Sequence, residues 1–109
     1  MTGLEFFLYG LLKAAFAGAI AGTVICMLIL HWEDICAWFQ SRSALKNSDV
    51  DNIGFSLQEQ MADGKYKTVY GIFNTRTNEV RDSEVVSSQQ VDQDLSDLHA
   101  GSNLVLVRS

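Results

Sequence analysis

The residues best suited to chemistry in this 109-residue chain are its clustered carboxylates, two histidines and two cysteines. Asp49-Val-Asp51-Asn-Ile53-Gly54 opens like a calcium-binding loop of the EF-hand kind. The pattern breaks at its fifth position, Ile53, and at its twelfth, Gln60, where a bidentate glutamate is needed. Asp92, Asp94 and Asp97 recur at helical spacing and read as a solvated helix face. His99 has no cysteine or second histidine at metal-ligand spacing. Cys26 and Cys36 form no CxxC pair, so a disulfide framework is not expected, and intermolecular pairing of Cys36 is the lesser alternative. No glycine-rich phosphate loop and no nucleophile elbow occur, so abundant serines alone do not indicate a hydrolase. Lys65, Lys67, Arg76 and Arg81 suggest a small basic patch that blunts a sheet edge or meets an acidic peptide. These residues imply no catalytic centre, no cofactor and no metal, and the expectation is a non-enzymatic protein.

The elements that must position these residues divide into two compositional regimes. Residues 14–32, from Ala14 to Trp32, carry no formal charge apart from a possible one on His31. At 1.5 Å per residue such a run approaches the roughly 30 Å hydrocarbon thickness of a bilayer. The expectation is a single-pass transmembrane helix, retained rather than cleaved, because no basic residue precedes the first apolar run. Lys13, His31, Trp32, Trp38 and Phe39 are expected at the membrane interface, where amphipathic side chains keep their polar ends wet. Gly10, Ala14, Gly18, Gly22 and Cys26 recur every four positions, with Ala17 and Ala21 beside them. Small residues in that register let helix backbones approach closely. They predict a homo-oligomer or packing on another membrane protein. Arg42 and Lys46 favour a cytoplasmic C-terminal domain.

The fold class expected is α+β: a transmembrane anchor over 1–32, an amphipathic juxtamembrane helix over 33–46, and a small soluble domain over 47–109. In the helix, Ile35, Trp38, Phe39, Arg42 and Leu45 share one face. The domain reads β-β-β-α-β. Alternation predicts a strand over 53–61, Asp63-Gly64 a hairpin turn, and Tyr66–Asn74 the returning strand. Glu79–Val86 is a third strand, near an edge. Ser87 and Gln90 stand at capping-box spacing for a helix ending near Gly101. Leu104–Val107, continuously apolar, reads as a central strand.

The net charge of −5 argues against nucleic acid, whose phosphates repel an acidic surface. The function predicted is an assembly or adaptor module. It self-associates or packs on another membrane helix through its small residues, and presents an acidic domain to a protein partner, by strand addition at a sheet edge among other routes. Two alternatives are a pore-forming or membrane-perturbing effector, motivated by Lys13 beside the small-residue row, and an accessory subunit of a larger membrane complex.

Overall fold

The computed structural model describes residues 10, 24–77, 79–100 and 102–107. They form a five-stranded mixed sheet with three short helices. In chain order these are β1 (Val24–Leu30), α1 (Trp32–Ser41), α2 (Ser43–Asn47), β2 (Asn52–Gln60), β3 (Tyr66–Asn74), β4 (Glu79–Val91), α3 (Gln93–Leu98) and β5 (Leu104–Val107). The spatial order is β1-β4-β3-β2-β5, with β1 parallel to β4 and every other pair antiparallel.

The first correction falls on the membrane span. Its last third, Val24–Leu30, is not helix but an edge strand of the sheet. Val24, Ile25 and Ile29 are β-branched, and a strand beside a parallel neighbour tolerates an unbroken apolar run. A short apolar run of this kind has no period that separates strand from buried helix. Trp32 then starts a helix of ten residues, about half the length a bilayer needs. Among the described residues no helix is long and apolar enough to cross a membrane. The single-pass anchor therefore falls, and with it the membrane location and the cytoplasmic placement that depended on the anchor. Residues 14–23 of the expected span lie outside the described residues.

α1 keeps the amphipathic face that its spacing predicts, burying Ile35, Trp38 and Phe39. That face lies on the sheet, not on lipid. The helix breaks at Arg42 (φ −111°, ψ 21°), one residue before α2. Ser41 Oγ donates to the Trp38 carbonyl at 2.6 Å and the Arg42 N–H to the Phe39 carbonyl at 3.1 Å, satisfying carbonyls the broken helix leaves over. The Arg42 guanidinium turns back over the Trp38 ring, 4.6 Å from its centroid, and Nε reaches Asp82 at 3.0 Å.

The β2–β3 hairpin follows the sequence reading, and Gly64 supplies the positive φ (86°) that its turn requires. The next element does not. β4 runs on through Ser87–Gln90 to Val91, so no helix starts at Ser87. The side chain that caps α3 is Asp92, which accepts from Leu95 N at 2.9 Å. β4 is also interior, because β1 occupies the edge that its polar sequence suggested was its own. β5 is an edge strand, paired only with β2 among the described strands.

The sheet is apolar on both faces. On one, α1, α2 and α3 pack Ile35, Trp38, Phe39, Leu45 and Leu95 against Tyr70, Ile72 and Val86. Among the described residues, the other face gathers strand residues: Phe55, Leu57, Val69, Phe73 and Val85, flanked by Ile53, Val80, Leu104 and Leu106. Each fully buried side chain of this size contributes roughly 1.5–3 kcal/mol relative to exposure.

Candidate functional site

The surface that most departs from an ordinary domain is the outer edge of β1. Its seven residues, Val24 to Leu30, are all apolar, and β4 is its only described neighbour. Ile25 and Met27 turn toward the helix-covered face, and alternation sends Val24, Cys26 and Leu28 to the other. Leu28 is 66% exposed, Val24 38% and Ile29 37%. Edge strands are ordinarily protected by charge, proline, bulges or brevity. β5, with four residues, has brevity; β1 has none of the four.

Beside β5 lies a cavity of about 360 Å³, bounded by Trp32, Phe39 and Val107, with Gln40 and Ser43 at its polar side. Cys36 also borders it, and burial pushes its thiol up, away from the reactive thiolate.

A serine–histidine pair does occur. Ser56 Oγ lies 2.9 Å from His99 Nε2, and His99 Nδ1 lies 3.1 Å from the Ser102 carbonyl. Burial lowers the His99 pKa against the raising effect of the Ser102 and Asn103 backbone, leaving the ring neutral at pH 7. A carbonyl acceptor at Nδ1 assigns the proton there, so Nε2 accepts from the serine. Ser56 is fully buried in β2, and His99 is half-buried above it. The pair ties the α3–β5 connection to the sheet.

Asp49 and Asp51 are likewise engaged. Asp49 accepts from Asp51 N at 2.9 Å, and Arg76 pairs with both Asp49 and Asp51. The Asp51 N–H and the Arg76 guanidinium hold the Asp49 carboxyl below the usual range. Asn74 completes this cluster, donating to Asp49 at 3.1 Å and to Asn52 Oδ1 at 2.8 Å. The stretch that resembles a calcium loop is thus a staple between the start of β2 and the β3–β4 turn. No group of residues able to hold a metal occurs among the described residues. The four basic residues do not gather: Lys67 stands opposite Glu59 near one end of β3, and Arg76 lies past the other, roughly 30 Å away along the strand.

On the helix-covered face, Tyr70 donates its hydroxyl to Glu84, directly opposite on β4. Trp38 meets the Tyr70 ring edge-on, with centroids 5.4 Å apart. Burial, reinforced by Glu84, pushes the phenol far above its ordinary pKa.

No protein family, no curated protein and no solved structure matches this chain.

Of the small-residue row, Gly10 is helical and exposed, and Cys26 lies exposed on β1. Lys13, Ala14, Ala17, Gly18, Ala21 and Gly22 lie outside the described residues. Of the residues assigned to a membrane interface, Trp38 and Phe39 are buried against Tyr70. Trp32 borders the cavity, and His31 Nδ1 lies 3.4 Å from Asp92. Sequence reasoning missed Leu28 as an exposed edge residue because it counted the whole run as lipid-facing. It missed Asp92 as a cap by placing the helix start five residues too early. The aspartate three positions before Leu95 was the available signal.

Proposed function

We propose that the protein is a non-enzymatic assembly module that joins a second copy of itself through the outer edge of β1. The supporting observation is a seven-residue, wholly apolar edge strand with Leu28 66% exposed. Unpaired backbone N–H and C=O groups on such an edge are satisfied by another strand, and the exposed side chains leave water in the same step. A copy of β1 is the most fitting partner, because an isologous pair sets one apolar strand against an identical one. A foreign strand would have to match the same charge-free, apolar surface. The remaining constellations support the non-catalytic side of this reading. The serine of the serine–histidine pair is buried, burial raises the Cys36 thiol, and Asp49, Asp51 and Asp92 are occupied by Arg76 and by a helix cap.

Sedimentation velocity of the full chain over a range of concentrations tests this. The wild type is expected to dimerise, and Leu28→Lys to remain monomeric with an unchanged circular dichroism spectrum. A wild type that sediments as a monomer at 100 µM, or a Leu28→Lys protein that dimerises equally well, contradicts the reading.

A further inference from the structure

The cavity beside β5 follows one side of the two consecutive helices. Trp32, Cys36 and Gln40 recur every four residues along α1, and Ser43, Lys46 and Asn47 continue the row over α2. Val107 of β5 bounds it from the sheet. The hollow has a local cause. Phe39 sinks onto Gly54 of β2, where a Cβ would come within 3.0 Å of the Phe39 ring and 3.0 Å of the Val107 carbonyl oxygen. With Phe39 drawn down, the neighbouring turns present only the small side chains of Cys36 and Ser43, which leave open the space between Trp32 and Val107. Close-packed proteins hold few voids larger than a water molecule, whereas about 360 Å³ has room for about twelve water-sized groups.

The lining divides by chemistry along that row. Trp32, Phe39 and Val107 are apolar, whereas α2 supplies the Ser43 hydroxyl, the Lys46 ammonium and the Asn47 amide, all able to donate. Lys46 is the one charged residue of the described lining, and it is positive in a chain of net charge −5. A ligand complementary to this set is apolar over most of its length and ends in an anionic group that only accepts hydrogen bonds.

We propose that this cavity binds a medium-chain monocarboxylate, with its alkyl chain against Trp32, Phe39 and Val107 and its carboxylate at Ser43, Lys46 and Asn47. A saturated acid of about ten carbons, with its two oxygens, matches the room for about twelve groups. Its chain leaves water against the apolar lining, and its carboxylate meets charge-assisted donors at one end only, which fixes its direction. None of the lining residues belongs to β1, so binding here is independent of assembly through that edge.

Titration of the full chain with sodium decanoate below its micellar range, followed by nuclear magnetic resonance, tests the assignment. The indole N–H of Trp32 and the methyls of Val107 are expected to shift saturably, while the methyls of Val24 and Leu28 stay in place. Decyltrimethylammonium, with the same chain and the opposite charge, is expected to bind about tenfold more weakly or worse. Lys46→Glu is expected to weaken decanoate by about the same factor and to leave decanol unchanged. Ser43→Phe, at an exposed position, puts a ring into the cavity and is expected to abolish binding of both. The two ligands compared on the wild type keep the test intact should either variant fail to fold. Absence of a saturable shift, shifts centred on Val24 and Leu28, or equal affinity for decanoate and decyltrimethylammonium overturns the proposal. A peptide ending in leucine that binds more tightly than decanoate assigns the cavity to a protein C-terminus and overturns it equally.

Discussion

Asp92 accepts hydrogen bonds from the backbone N–H of Trp32, 60 residues away in sequence, at 3.2 Å, and from Leu95 N at 2.9 Å. The Asp92 N–H in turn donates to the Leu30 carbonyl at 3.0 Å. One residue thereby caps α3, holds the start of α1, and ties the ends of the parallel strands β1 and β4 together. Asp92→Ala is expected to destabilise the protein by about 1–2 kcal/mol, the usual cost of a lost helix cap, while Asp92→Asn retains most of the stability. Urea denaturation of the three proteins measures this; equal midpoints for Asp92→Ala and wild type contradict it.

The same carboxylate sets a pH dependence. Burial pushes Asp92 up, but the N–H groups of Leu95 and Trp32 and the nearby His31 outweigh it and hold the carboxyl below its ordinary value. Its contribution to stability is therefore complete above the unfolded carboxylate value near 3.9 and is lost as pH falls through the folded one. His99 acts at higher pH. Its folded pKa is depressed by burial, so stability begins to fall as pH drops below the unfolded histidine value of about 6.5. Thermal melts from pH 7 to pH 3 are expected to show two declining stages, and His99→Gln to remove the upper one. A melting temperature flat between pH 7 and pH 5 in the wild type would count against the buried Ser56–His99 pair.

Tyr70 provides the alkaline counterpart. Its phenol is pushed up by burial and by Glu84, so the folded state opposes ionisation. Stability is full below the unfolded value near 10 and lost as pH rises beyond it. Ultraviolet titration is expected to show one tyrosine ionising only together with unfolding. Ionisation of all three tyrosines in a still-folded protein contradicts the Tyr70–Glu84 geometry.

Two glycines separate space from conformation. Gly71→Ala places a methyl 2.4 Å from backbone oxygen and is expected to cost about 1–3 kcal/mol. Gly64→Ala meets no atom within 4 Å, but requires φ +86° and should cost about 1 kcal/mol. Equal midpoints for Gly71→Ala and wild type in chemical denaturation would show that β3 and β4 do not approach this closely.

Much of the sheet was legible because its signals are local. The alternation of Ile53, Phe55 and Leu57, the Asp63-Gly64 turn, and the β-branched and aromatic run from Tyr66 to Asn74 each fix a strand or a reversal within a few residues. Ile35, Trp38 and Phe39 likewise fix the buried face of α1. What failed was non-local. Val24–Leu30 is apolar because it lies in a sheet beside β4, a relationship between residues 61 positions apart that no window contains. Without it, the run merges with the residues before it into something long enough for a bilayer. The serine–histidine pair and the Arg76 staple are invisible for the same reason, since their partners meet only when the sheet closes. β5 misled because a short apolar strand reads as central, while its brevity is also what protects an edge.

Amide hydrogen exchange of β1, followed at low and high protein concentration, tests the proposed assembly most directly. Leu30 turns its carbonyl to β4, so the amides on the outer edge of β1 are those of Ile25, Met27 and Ile29, which are expected to exchange freely in dilute solution. Protection should appear with increasing concentration, and Leu28→Lys should abolish that gain. Exchange on β1 that is independent of concentration, in a protein otherwise protected along β2, β3 and β4, would contradict assembly through this edge.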